Sequence, residues 1–249
     1  GWTDQDCGKT MALASYGNPD LYKNVPLFKS SSGMVNSLLE HTHEKGVHEF
    51  IKENKIDFGI PYNKGDGEND KNIAAFIQSR TEEALTNLFK FWVEKTKMKN
   101  VCYSGGVALN CVANEKILCN LKIDNFFILP ACSDRGQSVG NAIYGFWHLT
   151  KTIPKYKLKN DYFGRNYSNK EILLALTRKP LALLGRSIPT KYLQFKKAIN
   201  IAKETAELIA DGRIVAWFQQ GSELGPRALG HRSILADPRR KEIKEILNN

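Results

Sequence analysis

The chain lacks the features that would mark a membrane protein, a disulfide-stapled secreted protein or a zinc protein. It contains no run of about eighteen apolar residues, so no membrane-spanning helix is predicted. Its five cysteines are odd in number and include no CxxC pair, which favours free thiols in a reducing cytoplasm. Residues 1–6 do not show the basic-then-apolar pattern of a signal peptide, and we expect both ends to be interior points of a longer chain.

The charge of the chain is uneven, although its composition is that of a globular protein with one large or two small domains. Hydrophobic residues make up 42% and charged residues 25%, and the net charge is +10. Residues 151–200 hold twelve Lys and Arg against two acidic residues, which accounts for the whole excess. A basic stretch can bind nucleic acid. Because this one is interleaved with proline and glycine and lacks a recognition-helix pattern, we favour a solvated linker that attracts anionic substrates.

A parallel α/β fold is predicted, because strands and helices alternate after a long helix that Asp70 or Asn72 can cap. The predicted elements of this unit are strand 100–103, helix 107–119, strand 126–129 and helix 136–149. Residues 18–69 show little periodicity and are predicted to be loop-rich, with one helix over 33–44. Further along, the predictions are helix 194–210, strand 213–218 and a last helix that begins near residue 241.

Two polar turns follow the predicted strands, where parallel sheets bind their ligands. Gly105 and Gly106 follow the first strand and would let a nucleotide approach the backbone, with the Asn110 amide one turn into the helix. Asp134 follows the second strand, in the polar turn just before the helix that is predicted to begin at Gly136. Both turns have a plainer interpretation, because most Gly-Gly pairs are simple turns and an aspartate in this place is often only a helix cap.

A segment near the C-terminus combines glycine, proline and arginine directly after an apolar run, with the sequence GSELGPRALGHRSILADPR over residues 221–239. Arg227 and Arg232 bring forked N–H donors that suit a carboxylate or phosphate, and Ser233 adds a hydroxyl. Glu223 could orient an arginine, act as a base or be purely structural. A Gly/Pro turn with solvated arginines is the plainer interpretation.

Four blocks of the sequence, in order, resemble the O-carbamoyltransferases that decorate nodulation factors and antibiotics. The blocks are GKTMALASYG (8–17), SGGVALNCVAN (104–114), PACSDRGQSVGNA (130–142) and the arginine-rich segment 221–239. Mild departures from the family signature lie at Gln220, Ser222, Leu224 and His231. Between the last two blocks, DYFGRNYS (161–168) resembles a connector of the same family.

The resemblance implies an α/β fold in which part of a sugar-kinase/actin-type ATPase domain precedes the beginning of a YrdC-like α/β domain. Residues 1–150 would then belong to the ATPase-type carbamoyl-transfer domain, 151–168 to a basic linker and 169–249 to the C-terminal domain. It also implies that ATP binds at Gly105 and Gly106, near Asn110. We expect Lys9, in the first block, to be a further phosphate contact.

The implied activity is ATP-dependent transfer of a carbamoyl group from carbamoyl phosphate, through a carbamoyl-adenylate, to a hydroxyl group of a small-molecule acceptor. Arg227, Arg232 and Ser233 would hold carbamoyl phosphate or its products. Asp134 would be one ligand of a divalent or iron-type metal ion, whose other ligands in the family are two histidines of an HxxxH helix. No HxxxH pattern occurs in these 249 residues, so we expect an incomplete metal site and no turnover by the 249 residues alone.

Two other classes of function stay open on the residues alone. One is a non-catalytic fragment or paralogue that binds nucleotide or a partner, which the missing histidine helix favours. The other is a basic nucleic-acid-binding protein, which would show a steep salt dependence of binding.

Overall fold

The computed structural model describes residues 7–38, 44–55, 67–155, 158–177, 181–183, 186–188 and 194–248. It divides into two compact units, Gly1–Ser133 and Asp134–Asn249. No helix in these described ranges is long and apolar enough to cross a membrane.

The first unit contains four α-helices and two pairs of strands among its described residues. Its elements are α1 (Cys7–Leu13), β1 (Phe28–Ser31), β2 (Met34–Ser37), α2 (Glu44–Glu53), α3 (Glu68–Thr96), β3 (Asn100–Cys102), α4 (Cys111–Asn120) and β4 (Asn125–Phe127). Short 3₁₀ turns lie at Ala14–Tyr16, Pro19–Tyr22 and Gly106–Leu109.

The long helix α3 is the centre of this unit. Asp70, one of the two residues predicted to cap it, accepts a hydrogen bond from the backbone N–H of Gly67 at 3.1 Å, as in a capping box. One side of α3 buries Ile73 and Phe76 against Leu27. The helix therefore begins where its capping residues predict and is held by apolar burial.

The other predicted cap, Asn72, has a different role. Its buried side chain accepts a hydrogen bond from the backbone N–H of Asn18 at 2.7 Å. At Gly17, which precedes Asn18 in the sequence, a Cβ atom would lie 2.0 Å from the carbonyl oxygen of Lys71. The glycine that ends the first family-like block is thus needed for close packing on α3.

The predicted strand–helix–strand unit is present. Strands β3 and β4 pair in parallel, with Val101 opposite Phe126, and α4 connects them. Behind the pair, Phe89 of α3 makes edge contacts with Tyr103 and Phe126. The mixed helix and strand content agrees with the predicted α/β class, and each of these two strands is one residue shorter than the sequence suggested.

The predicted helix over 33–44 is wrong over residues 33–37, and residues 39–43 lie outside the described part of the chain. Residues 28–37 form the antiparallel hairpin β1–β2 instead. Ser32 and Gly33 both have positive φ, of 50° and 77°, which is the conformation of the tight turns that close hairpins. The Trp92 indole N–H donates to the Gly33 carbonyl at 2.9 Å, so a contact with α3, distant in sequence, stabilises this turn.

The second unit contains four helices and two antiparallel hairpins among its described residues. Its elements are α5 (Gln137–Thr150), α6 (Asn169–Thr177), β5 (Leu181–Leu183), β6 (Arg186–Ile188), α7 (Ile201–Ala210), β7 (Val215–Phe218), β8 (Arg232–Leu235) and α8 (Ile243–Asn248). A 3₁₀ turn at Asp134–Gly136 precedes α5. The predicted helix 136–149, strand 213–218 and terminal helix are present with shifted ends.

The predicted helix 194–210 is correct only in its second half, because α7 begins at Ile201. The Asn200 side chain accepts from the backbone N–H of Lys203 at 3.1 Å, and the Glu204 carboxylate accepts from the N–H of Ile199 at 2.9 Å. These two caps fix the start of the helix. The apolar pattern alone did not reveal them.

Candidate functional site

The arginine-rich segment forms most of a hairpin loop and the strand that follows it. Strands β7 and β8 pair antiparallel, with Phe218 opposite Arg232 and Trp217 opposite Ser233. Residues 219–231, here called the arginine loop, join the two strands. The backbone N–H of Gln219 donates to the His231 carbonyl at 2.9 Å, which closes the base of the loop.

Glu223 organises the arginine loop from inside. Its side chain is fully buried and accepts hydrogen bonds from the backbone N–H groups of Leu229 (2.6 Å) and His231 (2.8 Å) and from Arg232 Nε (2.9 Å). Burial by itself would raise the pKa of Glu223, but these hydrogen bonds outweigh it and lower the pKa to about 2. The carboxylate is therefore ionised and engaged, which favours the orienting role over that of a base.

Arg232 is held in place by this carboxylate. Besides the Nε contact with Glu223, its Nη2 donates to the Gly225 carbonyl at 2.7 Å. The side chain is 38% exposed. An arginine has five N–H donors, so the guanidinium keeps donors for a ligand while its orientation is already fixed.

The structure places the other predicted anion contacts differently. Arg227 lies in the exposed part of the loop, and within the described part of the chain no hydrogen bond or ion pair holds it. Ser233 follows Arg232 on β8, and neighbouring side chains of a strand face opposite sides. The structure therefore does not bring Arg232 and Ser233 to one face. Convergence of Arg227 and Arg232 on one anion stays a prediction.

A second segment packs against the arginine loop. The backbone N–H of Leu224 donates to the Asp161 carbonyl at 2.7 Å, and that of Gly164 donates to the Ser222 carbonyl at 3.0 Å. The Tyr162 ring stacks on His231 with centroids 3.9 Å apart. Residues 161–164, here called the connector, lie inside the predicted basic linker and support the loop.

Glycine is required where the connector meets the loop. A Cβ atom at Gly164 would lie 2.4 Å from the Ser222 nitrogen, and one at Gly221 would lie 2.3 Å from the Gly164 carbonyl oxygen. The contact was missed at the sequence level, although the likeness of 161–168 to a family connector was the signal that pointed to it.

Arg239, the last arginine of the segment 221–239, forms an ion pair within that segment. Arg239 donates to the Asp237 carboxylate through Nε at 2.9 Å and through Nη2 at 2.5 Å. Hydrogen bonds from the Arg239 side chain and backbone N–H lower the pKa of Asp237 to about 2. This arginine is held in an ion pair with Asp237, as Arg232 is with Glu223.

The Gly-Gly turn after β3 is open. The Gly105 N–H donates to the Cys132 carbonyl at 2.7 Å, and the Ser104 hydroxyl donates to the same oxygen at 3.2 Å. Gly105 has φ 109° and ψ 163°, a combination almost confined to glycine. A Cβ atom at Gly105 or Gly106 would meet nothing within 4 Å, so a ligand can approach this backbone.

The Asn110 side chain makes hydrogen bonds within the protein, and its contact with a nucleotide stays a prediction. Its Oδ1 caps α4 by accepting from the Ala113 N–H at 3.1 Å. The same oxygen accepts from Gln78 Nε2 at 3.1 Å, and Asn110 Nδ2 donates to Gln78 Oε1 at 2.9 Å. The amide is therefore engaged within the protein, and Gln78 is a residue that sequence reasoning missed.

Lys9 and Asp134 are the remaining predicted site residues. Lys9 is exposed on α1. Asp134 begins the 3₁₀ turn before α5, and its Oδ1 accepts from Gln137 Nε2 at 3.4 Å. A place for Asp134 beside Gly106 stays a prediction. No group of three or more His, Cys, Asp or Glu that could hold a metal ion occurs among the residues with described positions, so these residues do not make up the implied metal site.

Two family models match the chain, one for an N-terminal domain and, further along the chain, one for a C-terminal domain. The description "Carbamoyltransferase N-terminus" matches residues 2–143, and "Carbamoyltransferase C-terminus" matches residues 206–249. The chain belongs to the carbamoyltransferase family.

Several curated relatives are similar over nearly the whole chain. The nodulation protein NolO of Bradyrhizobium diazoefficiens is 30% identical over 243 residues, which is 96% of this chain and 41% of that protein. An uncharacterised protein of Methanocaldococcus jannaschii, MJ1058, is 32% identical over 99% of this chain and 39% of its own length. The 3'-hydroxymethylcephem-O-carbamoyltransferase of Streptomyces clavuligerus is 26% identical over 98% of this chain and 41% of its own length. The chain thus spans about two fifths of these relatives.

Proposed function

We propose that the protein takes part in ATP-dependent transfer of a carbamoyl group from carbamoyl phosphate, through a carbamoyl-adenylate, to a hydroxyl group of a small-molecule acceptor. Membership of the carbamoyltransferase family supports the class of reaction. The relative from Streptomyces clavuligerus carries an O-carbamoyltransferase name, which supports a hydroxyl acceptor.

The observation that carries the proposal is the arrangement of Arg232. A buried, ionised Glu223 fixes its guanidinium before any ligand arrives. Cations and N–H donors held in advance at the place where phosphate charge must be neutralised lower the barrier of acyl and phosphoryl chemistry. We assign Arg232, with the exposed Arg227, to the binding of carbamoyl phosphate or its products.

The chemistry divides into two transfers. Hydrolysis of carbamoyl phosphate first releases phosphate and carbamate, which is a poor electrophile. A carbamate oxygen then attacks the α-phosphorus of ATP, pyrophosphate leaves, and the carbamoyl-adenylate that forms carries AMP as a good leaving group. AMP then leaves when the acceptor hydroxyl attacks the carbamoyl carbon. We place the first transfer at the arginine loop, in a YrdC-like domain, and the second in a sugar-kinase/actin-type domain.

The open Gly-Gly turn is our candidate for the nucleotide in the second domain. It lies at the carboxyl end of β3, where parallel sheets bind ligands, and Gly105 has the conformation that only glycine adopts readily. The implied metal ion would add Lewis-acid chemistry, but the described residues do not fit its site and no step is assigned to it.

The proposal is tested by product formation in the intact protein. We expect pyrophosphate release from ATP that depends on carbamoyl phosphate, and transfer of label from ¹³C-carbamoyl phosphate to a hydroxyl compound. Pyrophosphate release that is the same with and without carbamoyl phosphate would contradict the proposed donor.

A further inference from the structure

A chain of polar side chains connects the long helix α3 with the start of α4. Gln78 and Asn110 exchange two hydrogen bonds, of 2.9 and 3.1 Å. Gln78 Nε2 also donates to Glu82 Oε1 at 2.7 Å. Glu82 in turn forms an ion pair with Lys116 of α4. These four residues are here called the α3–α4 network.

Glu82, the acidic member of the network, is buried. The Glu82 side chain is only 7% exposed, whereas that of Lys116 is 56% exposed. A carboxylate in such a place is expensive to bury unless its oxygens have partners. One oxygen of Glu82 faces Gln78 and the other faces Lys116, so the buried charge is satisfied at both ends.

The partners fix the orientation of each amide. Glu82 can only accept hydrogen bonds, so the group of Gln78 that faces it must be the NH₂. The Ala113 backbone N–H can only donate, so the group of Asn110 that faces it must be the oxygen. With both amides fixed, the NH₂ of each lies against the oxygen of the other, and every contact is complementary.

The backbone of Asn110 connects the network to the Gly-Gly turn. Its backbone N–H donates to the Val107 carbonyl at 3.0 Å, and the Ala108 N–H donates to the Gly105 carbonyl at 3.0 Å. These bonds form the 3₁₀ turn Gly106–Leu109 that follows Gly105. The side chain of Asn110 therefore ties the end of this turn to α3.

We propose that Gln78 and Glu82 are positioning residues that hold Asn110, and through it the Gly105–Gly106 turn, in the conformation that accepts a nucleotide. The nucleotide part of this inference rests on the proposed function. Neither residue touches the ligand, and both act through the Asn110 amide.

The sharpest test breaks the complementary hydrogen bonds of the network with one substitution and then relieves the resulting repulsion with a second. Gln78→Glu places a carboxylate against both Glu82 and the Asn110 oxygen, so contacts that were complementary become repulsive or unpaired. Adding Glu82→Gln supplies a new donor to the carboxylate introduced at position 78 and removes its repulsion with Glu82, whereas the Asn110 oxygen still lacks the N–H that Gln78 donates. Glu83→Gln is the matched control, because Glu83 is an exposed neighbour on the same helix that pairs only with Arg80 among the described residues.

Two quantities are measured in the intact protein. The first is the hydrogen-exchange rate of the Ala108 and Asn110 backbone amides without nucleotide. The second is the dissociation constant for ATP, taken at a temperature where the melting curves show each variant to be fully folded. We expect Gln78→Glu to raise both by roughly tenfold, the usual effect of leaving buried polar groups unpaired. The double variant should recover part of the loss, because the charge repulsion is relieved but the hydrogen bond to the Asn110 oxygen is not restored, and Glu83→Gln should change neither quantity.

Each result decides one claim. Unchanged exchange in Gln78→Glu, or no recovery in the double variant, overturns the positioning role. Faster exchange with an unchanged ATP dissociation constant overturns the link to the ligand. If the wild-type protein binds no ATP, the proposed nucleotide site fails, while the exchange rates still decide the positioning role. Should Gln78→Glu not fold, Gln78→Met removes both hydrogen bonds to Asn110 without added charge and must also show faster exchange.

Discussion

Two glycine-containing turns, one in each unit, are held by opposite kinds of chemistry. The arginine loop is organised by an ionised carboxylate, Glu223, which contacts two backbone N–H groups and a guanidinium. The groups that contact the Gly-Gly turn and Asn110 are neutral, namely the Cys132 carbonyl and the amide of Gln78, and the Glu82 carboxylate acts one contact further away, through Gln78. A charge at the centre of the loop fixes a cation for an anionic ligand. Neutral amides hold the turn without placing a negative group next to it.

The largest effect is expected where the loop loses its charge. Glu223→Gln keeps the size of the side chain but replaces one acceptor oxygen with a donor that faces an N–H group or Arg232. We expect carbamoyl-phosphate-dependent formation of the adenylate to fall by roughly a hundredfold, the scale of a lost preorganised donor. Rates of pyrophosphate release measure it. A wild-type rate in this variant would show that the loop does not depend on the carboxylate.

The same carboxylate gives the loop a dependence on pH. Because the pKa of Glu223 is lowered to about 2 from an ordinary value of 4.5, its contribution to stability is fully present above about pH 4.5 and is lost as the pH falls toward 2. We expect the free energy of unfolding of the wild type to fall more steeply over this range than that of Glu223→Gln. Asp237 titrates in the same window in both proteins, so the difference reports Glu223. Equal slopes would contradict the assignment.

The second unit shows which parts of the site were predictable. The positions of β7 and of the Gly/Arg connection followed from an apolar run and its flanking residues. The three partners of Glu223 did not, because they are donors six to nine positions away that only the folded loop brings together. The support from Tyr162 is still more distant in sequence and was predicted only as part of a linker.

The first unit repeats this lesson. The start of α3 and the strand–helix–strand order followed from Asp70 and from local apolar patterns. The hairpin over residues 28–37 did not, because Trp92 stabilises its turn from 59 positions away. Likewise, the hydrogen bonds between Asn110 and Gln78 were missed, since Gln78 lies 32 positions earlier in the sequence.

A smaller effect, on the free energy of unfolding, is expected at the Gly-Gly turn, where Gly106 provides the control for Gly105. Gly105→Ala forces an alanine into a conformation that costs about 1–3 kcal/mol, although space for the methyl group is available. Gly106→Ala should be nearly neutral, because Gly106 does not have positive φ and its Cβ position is also empty. Chemical denaturation measures both. Equal losses in the two variants would refute the conformational argument.

The smallest effect is expected at the connector. Tyr162→Ala removes the ring that stacks on His231, a contact worth about 0.5–1.5 kcal/mol beyond simple burial. Tyr162→Phe keeps the ring and should keep the stability. The comparison is made by thermal denaturation. If Tyr162→Phe is as destabilised as Tyr162→Ala, the hydroxyl group rather than the stack is what matters.

The central claim, that the arginine loop binds the anion from which the carbamoyl-adenylate forms, is tested most directly by isotope exchange between pyrophosphate and ATP in the intact protein. Arg232→Lys and Arg227→Lys keep the charge but lose the forked donors. Arg213→Lys, at an exposed arginine before β7, is the control. We predict that both loop variants lose at least about a hundredfold in carbamoyl-phosphate-dependent exchange, while the control exchanges normally. Exchange at the wild-type rate in both loop variants would contradict the account.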